Sequence, residues 1–313
     1  MSILVFGSLN LDLVVQAPRL PLPGETILGD RFEQIPGGKG ANQAVAAARL
    51  GVPTRMIGRV GKDDLGQQLL QSLQQAQVEI AAVQIDPTTA TGIAAIAVGS
   101  QGENQIIVVP GANGQVGATE LGYLERFSST AQVLLLQLEI PLAIVEQAAA
   151  IARQANLSVI LDPAPAPAGL PESLYPLIDI LTPNQTEAAQ LTGLAVTDKE
   201  TAEAAAHQLH QRQVHTVVIK LGEQGVYCST PTQKFFLSAY PVKAIDTVAA
   251  GDAFNAGLAA ALCQGQSFLA AVQQANAVAA LSVTQRGAQP ALPTFKQLQA
   301  FLAATPPPTL HQY

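Results

Sequence analysis

Four short apolar runs that do not alternate constrain the fold most. Val133-Leu134-Leu135-Leu136, Ser158-Val159-Ile160-Leu161, Ile178-Asp179-Ile180-Leu181 and Thr216-Val217-Val218-Ile219 place apolar side chains on nearly every residue, so both faces of each strand need cover. Strands covered twice belong to a parallel sheet between helices, and the intervening segments have helical length and spacing. Helices are expected over residues 41–50, 65–75, 142–154 and 201–211, and over an alanine-rich stretch, 253–283, that Gly265-Gln266-Ser267 interrupts. Residues 1–7 read as a first strand, too short for a signal sequence and without a basic stretch before it. Residues 11–33 and 91–110 break the strand–helix rhythm with extended segments such as Ile93-Ala94-Ala95-Ile96-Ala97-Val98. The expected architecture is a three-layer α/β/α sandwich with a mostly parallel central sheet, plus a small β-sheet lid formed by those two insertions. A single domain over residues 1–313 is expected, with an extended or disordered tail at the proline run 305–309.

Charge and composition then exclude classes of function. Sixteen lysines and arginines against 23 aspartates and glutamates leave a net charge of −7, which disfavours nucleic-acid binding by broad phosphate neutralisation. Aromatic residues are only 4% and tryptophan is absent, so a polar ligand must be held mainly by hydrogen bonds. No apolar run approaches the roughly 18 residues of a membrane span. Cys228 and Cys263 lack the spacing of a metal knuckle or redox motif and read as core residues, which suits a cytoplasmic protein.

Two segments carry chemistry. In Asp246-Thr247-Val248-Ala249-Ala250-Gly251-Asp252, small residues let backbone N–H groups approach an anion at a helix N-terminus, and Asp252 stands where a carboxylate could take a proton from an attacking hydroxyl. A plain N-cap aspartate after a tight turn explains the same spacing. In Pro36-Gly37-Gly38-Lys39-Gly40-Ala41-Asn42-Gln43, glycines and a lysine precede a helix, but Lys39 is followed by glycine, so this is not a Walker loop. A turn and helix start account for it equally well. His207 and His210, three apart, read as a solvated helical face, and Asp63-Asp64 as a helix start.

Together, and with Gly7-Ser8-Leu9-Asn10-Leu11-Asp12, Leu138-Glu139, Asp162-Pro163-Ala164-Pro165, Thr182-Pro183-Asn184-Gln185-Thr186-Glu187 and Arg286-Gly287-Ala288-Gln289-Pro290, these segments give the chain its likeness. It resembles the PfkB family of carbohydrate kinases, in its ribokinase branch, over nearly its whole length. The resemblance implies ATP-dependent phosphorylation of D-ribose at its 5-hydroxyl, with another sugar or nucleoside kinase of the family, such as a deoxyribose kinase or fructokinase, or a non-catalytic sugar sensor, as alternatives. It implies Asp252 as base, with Ala249, Ala250 and Gly251 as anion hole. Asn10, Asp12, Gly38, Lys39, Asn42, Glu139 and Asp252 would bind the sugar, Glu139 closing a strand over 133–138. Asn184, Glu187, Lys220, Gly222, Gly225, Gly251 and Asn276 would serve ATP and Mg2+; Lys220 departs from the family's commoner threonine. Asp246, Val248, Ser282, Gln285, Gly287 and Ala291 would form a K+ site, although Ala291 lacks a hydroxyl that relatives can present. A homodimer through the β lid is implied as well.

Overall fold

The computed structural model describes residues 2–166 and 169–312; Met1, included in the expected first strand, and Tyr313, the end of the expected domain, lie outside them. Strands are β1 (Ile3–Phe6), β2 (Asn10–Gln16), β3 (Arg31–Gly37), β4 (Thr54–Gly61), β5 (Glu79–Asp86), β6 (Gly92–Val98), β7 (Asn104–Val109), β8 (Val133–Leu136), β9 (Ser158–Leu161), β10 (Ile180–Leu181), β11 (Thr216–Lys220), β12 (Gly225–Ser229), β13 (Lys234–Ser238) and β14 (Leu310–Gln312). Helices are α1 (Lys39–Arg49), α2 (Asp64–Gln75), α3 (Ala118–Ser128), α4 (Leu142–Gln154), α5 (Gln185–Thr192), α6 (Lys199–Gln211), α7 (Ala250–Cys263), α8 (Phe268–Ser282) and α9 (Phe295–Ala304).

Among the described residues one sheet runs β14-β13-β12-β11-β10-β9-β8-β1-β4-β5. From β11 to β5 its neighbours pair in parallel, and β12, β13 and β14 close one edge antiparallel. The four non-alternating runs fall together as β8 to β11. Successive residues feed opposite cores: Ile3, Val5, Val133 and Leu135 pack on the side of α1, α2, α7 and α8, whereas Leu4, Phe6, Leu134 and Leu136 pack on the side of α4 and α6. Both faces of the sheet are thereby dry, as the expected three-layer sandwich requires. The third run is shorter than expected: regular pairing begins only at Ile180, and just before it the Asp179 carboxylate takes the Val159 N–H at 2.8 Å. On the first face the alanine-rich stretch splits into α7 and α8 at the expected interruption. A Cβ on Gly257 would lie 2.9 Å from Ala275 Cα, so the backbones meet almost directly.

The two insertions join in a second sheet, ordered β3-β2-β6-β7. Asn10 pairs with Gly37 on one side and Gly92 on the other, so one end of this sheet lies just beyond the carboxyl end of β1. The first insertion continues to Gly37, past residue 33, since β3 must run that far to deliver its end to Asn10. Val15, Phe32 and residues 106–109 leave apolar side chains of this sheet exposed.

The tail is extended after its prolines and then regular. Leu310 pairs with Leu237 and Gln312 with Phe235, which covers the edge that β13 would otherwise present. Cys228 and Cys263 are buried free thiols, as expected. Among the described residues no helix is long and apolar enough to cross a membrane.

Candidate active site

The carboxyl ends of β1 and β8 and the N-termini of α1 and α7 converge. Gly38 enters α1 with φ +85°, and a Cβ there would stand 2.6 Å from the Asn10 backbone nitrogen, so only glycine lets the chain turn this close to β2. The turn brings the Lys39 N–H to Glu139 Oε2 at 3.0 Å. The same oxygen accepts from Ser8 Oγ at 2.5 Å and Asn10 Nδ2 at 3.5 Å. Glu139 does not close a strand over 133–138; β8 ends at Leu136 and Glu139 lies in the bend beyond it, where its side chain can reach across to β2 and α1. Asn10 is oriented in turn by Asn113, whose Nδ2 donates to Asn10 Oδ1 at 2.8 Å. Asp12, two residues along β2, shares its face. Burial, then the charges of Glu139 and Asp252, push its carboxyl up to about 7.

Asp252 does not cap α7. The cap position is Ala249, in the left-handed region at φ +59°, and Asp252 is the third helical residue, aimed inward. Asn42 Nδ2 donates to it at 2.9 Å and Gln43 Nε2 at 3.1 Å, from more than 200 residues away. The alternative of a plain N-cap aspartate is thus overturned. Burial raises Asp252 to about 6; the Lys39 ammonium pulls it down, Asp162 pushes it up, and the Asn42 and Gln43 hydrogen bonds lower it. A buried carboxylate poised this close to neutrality suits proton transfer. Lys39 itself loses by burial but gains more from Asp252, Asp162, Glu139 and Glu187, and stays firmly protonated. Asn42 Oδ1 is buried without a hydrogen-bond partner.

A cavity of about 1070 Å³ opens from this cluster. Lys39, Asn184, Glu187, Lys220, Gly222, Gly225, Ala249, Ala250, Gly251, Asp252 and Asn276 all line it. Asn184 and Glu187 also form the capping box of α5: Glu187 takes the Asn184 backbone and side-chain N–H groups at 2.8 Å, and Asn184 Oδ1 takes the Glu187 N–H at 2.9 Å. Burial raises Glu187, and Lys220 opposes that. Lys220 Nζ stands 3.0 Å from Asp162. Asn276 donates to Ser238 O at 2.8 Å and so ties α8 to the end of β13. The far wall is apolar, with Tyr240, Pro241, Val242, Ala280 and Val283, and was not foreseen from the sequence.

The expected cation loop lies beside α7. Asp246 accepts from the Val248 N–H at 3.0 Å and the Gly287 N–H at 2.9 Å, which draws 246–248 and 287 together. Ser282 Oγ donates to Ala279 O, Gln285 is exposed and Ala291 is buried, so Asp246 and backbone carbonyls are the donors this loop can offer. Arg49, which sequence reasoning missed, clamps the loop through Gln289 O and Leu292 O at 2.7 and 2.8 Å. Gln43, Gln137 and Asp162 were missed as well, although Gln43 and Asp162 stand inside recognised segments. Of the remaining candidates, Asp63 caps α2; His207 is exposed as expected, but His210 is half-buried and bonds to Val214 O and Ser229 Oγ, so it does not belong to a solvated face. Among the described residues no group of three or more His, Cys, Asp or Glu side chains is placed to hold a metal.

The chain is 40% identical to the ribokinase of Haemophilus influenzae, over 96% of this chain and 98% of that one. It is 38% identical to the ribokinase of Bacillus subtilis, over 96% and 99%. The structure of Arabidopsis thaliana ribokinase complexed with ribose and ATP superposes with a TM-score of 0.89 at 34% identity, covering 96% of this chain and 98% of that one. The profile of the pfkB family carbohydrate kinases matches residues 1–295, nearly the whole length, and the chain belongs to that family.

Proposed function

We propose that the protein phosphorylates D-ribose at its 5-hydroxyl with ATP, giving D-ribose 5-phosphate and ADP. The observation that carries this reading is Asp252, buried in the lining of the cavity, raised to about 6 and held by two amides from α1. The sugar lies among Asn10, Asp12, Gly38, Lys39, Asn42 and Glu139, whose carboxylates and amides suit a polyol. Asp252 takes the proton of the attacking hydroxyl as its oxygen bonds to the γ-phosphorus and the bond to ADP breaks. Ala249, Ala250 and Gly251 present the N-terminus of α7 to the transferring phosphoryl group, and Lys220 adds charge beside it. The nucleotide extends along Gly222, Gly225 and Asn276 toward the apolar wall.

The residues present fit two cations. Asn184 and Glu187 would hold Mg2+ through water near the phosphates, a mode that needs no dense carboxylate cluster; bound there it would neutralise phosphate charge. Asp246 with the carbonyls of Val248, Ser282, Gln285, Gly287 and Ala291 would hold K+, which would steady the anion hole. The exposed apolar residues of β7 and Phe32 support a homodimer through the small sheet, acting as a lid on a single-domain cytoplasmic enzyme.

A coupled assay of ADP release over pentoses, hexoses and nucleosides, with and without K+, tests the reading. Ribose is expected to give the highest kcat/KM, and turnover of another sugar with ribose inert refutes the substrate. Asp252→Asn is expected to bind ribose yet lose several orders of magnitude in kcat.

A further inference from the structure

Among the described residues Lys220 and Asp162 form the least exposed lysine–carboxylate pair, with side chains 14% and 3% exposed and a separation of 3.0 Å. The other oxygen of Asp162 lies 3.3 Å from Gln43 Nε2, and that nitrogen lies 3.1 Å from Asp252 Oδ1. Gln137 Nε2 donates to Gln43 Oε1 at 2.7 Å, which turns the Gln43 amide nitrogen toward both carboxylates. One continuous chain therefore runs from Lys220 through Asp162 and Gln43 to Asp252. Its lysine end is at the phosphate cradle, since a Cβ on Gly251 would stand 3.3 Å from Lys220 Nζ.

We infer that Asp162 is the contact counter-ion of Lys220, a positioning residue that keeps this ammonium at the cradle and away from the base. The inference rests on the kinase reading above. Lysine is a point charge on a flexible four-carbon stem, and Glu187 already feels the charge of Lys220. Without Asp162 the ammonium is free to turn to Glu187 or to Asp252. The converse is more severe. Without Lys220, Asp162 is a buried carboxylate left with the Gln43 hydrogen bond and a share of the Lys39 charge that Asp252, Glu139 and Glu187 also draw on, facing the incoming phosphates and standing beside a base that it already pushes up. Each charge is tolerable because of the other, so removing both is milder than removing the lysine alone.

A double-mutant cycle tests this. Wild type, Asp162→Asn, Lys220→Thr and the double variant are titrated calorimetrically with a non-hydrolysable ATP analogue and Mg2+, and assayed for ADP release with ribose. Lys220→Thr is expected to weaken the analogue about 30-fold, and the double variant only about threefold relative to wild type. Asp162→Asn is expected to leave analogue affinity within about threefold and the ribose KM unchanged, while kcat falls about tenfold. Lys220→Arg, which keeps the charge, should bind within about threefold of wild type. A double variant as weak as Lys220→Thr, or an arginine variant as weak as the threonine one, overturns the inference. Calorimetry needs no turnover, so the outcomes separate. The coupled pattern without ribose phosphorylation defeats the substrate reading alone, ribose phosphorylation with additive binding losses defeats the counter-ion alone, and a wild type that binds no analogue defeats both.

Discussion

Lowering the pH separates the two halves of the proposed site, because its two raised carboxylates answer to different substrates. Asp12, on the sugar side, is pushed up to about 7 and Asp252 to about 6, burial being the first cause in each. If Asp12 must be ionised to hold the sugar and Asp252 to take its proton, the product of their ionised fractions, which kcat/KM for the sugar follows, falls by two orders of magnitude or more between about pH 7 and pH 5. With saturating sugar Asp12 is already engaged, and only Asp252 limits capture of ATP; its ionised fraction falls from about 90% to about 10% over the same range. Initial rates at a series of pH values should therefore show kcat/KM for the sugar falling with a slope that steepens toward two. The value of kcat/KM for ATP should fall about tenfold with a slope of one. The two groups are coupled, since the charge of Asp252 helps to raise Asp12, so the steeper limb belongs to the pair. Stability runs the opposite way. Both folded values lie above their ordinary ones, so the protonated carboxyls stabilise the apo fold below about pH 4, and that contribution is lost as the pH rises through about 6 and 7. The melting temperature of the apo protein should fall over that window. Identical shallow limbs for both substrates, with a flat melting profile, would refute the argument.

One substitution and one truncation probe the two sides of the site separately. Asn42→Ala removes a donor to Asp252 and a buried acceptor with no partner, so the sugar KM should rise about 10- to 100-fold with little change in the ATP KM, as judged by initial rates; an unchanged sugar KM would place the sugar elsewhere. Truncation after Thr305 deletes β14, and with it the Thr309 N–H that donates to Ser238 Oγ at 2.9 Å, beside the carbonyl that Asn276 grips. The ATP KM should rise several-fold and the sugar KM should not; equal changes in both would mean that the tail supports the whole sheet.

What the sequence made legible depended on whether a residue's constraint was local. β8 to β11 were readable because a strand buried on both faces has no polar alternation to hide it, and the α7–α8 break because Gly265 and its neighbours interrupt an apolar run. Helix α5 is hidden in the sequence because Asn184 and Glu187 match a phosphate-side motif, and the same atoms form its capping box. Strand β14 is only three residues after a proline run, and its pairing energy comes from β13, over 70 residues earlier. In the site, Asp252 and Asn42 lay in recognisable segments. Asp162 stood in one too, but its role depends on Lys220, 58 residues on, and on Gln43, 119 residues before it. No spacing rule connects three residues that only the parallel crossovers bring together.

The charge of the site makes a final demand. Asp12, Glu139, Asp162, Glu187 and Asp252 face two lysines, Lys39 and Lys220, and even with Asp12 and Asp252 partly protonated the cluster is not positive. ATP adds several negative charges to it. At an effective dielectric of about 20, two unit charges 4 Å apart interact by about 4 kcal/mol, so one uncompensated phosphate charge beside Glu187 or Asp162 would cancel a large part of a micromolar binding energy. The N-terminus of α7 supplies about half a charge and cannot offset this alone. We propose that a divalent cation near Asn184 and Glu187 is needed for tight binding of the triphosphate, and not only for the transfer step. Calorimetry with the ATP analogue should show at least a hundredfold loss of affinity in excess EDTA. Adenosine, which carries no phosphate, should bind the apolar wall equally well with and without the chelator. If the analogue binds with undiminished affinity in EDTA, the lysines and the helix end suffice, and the charge balance drawn from these residues is wrong.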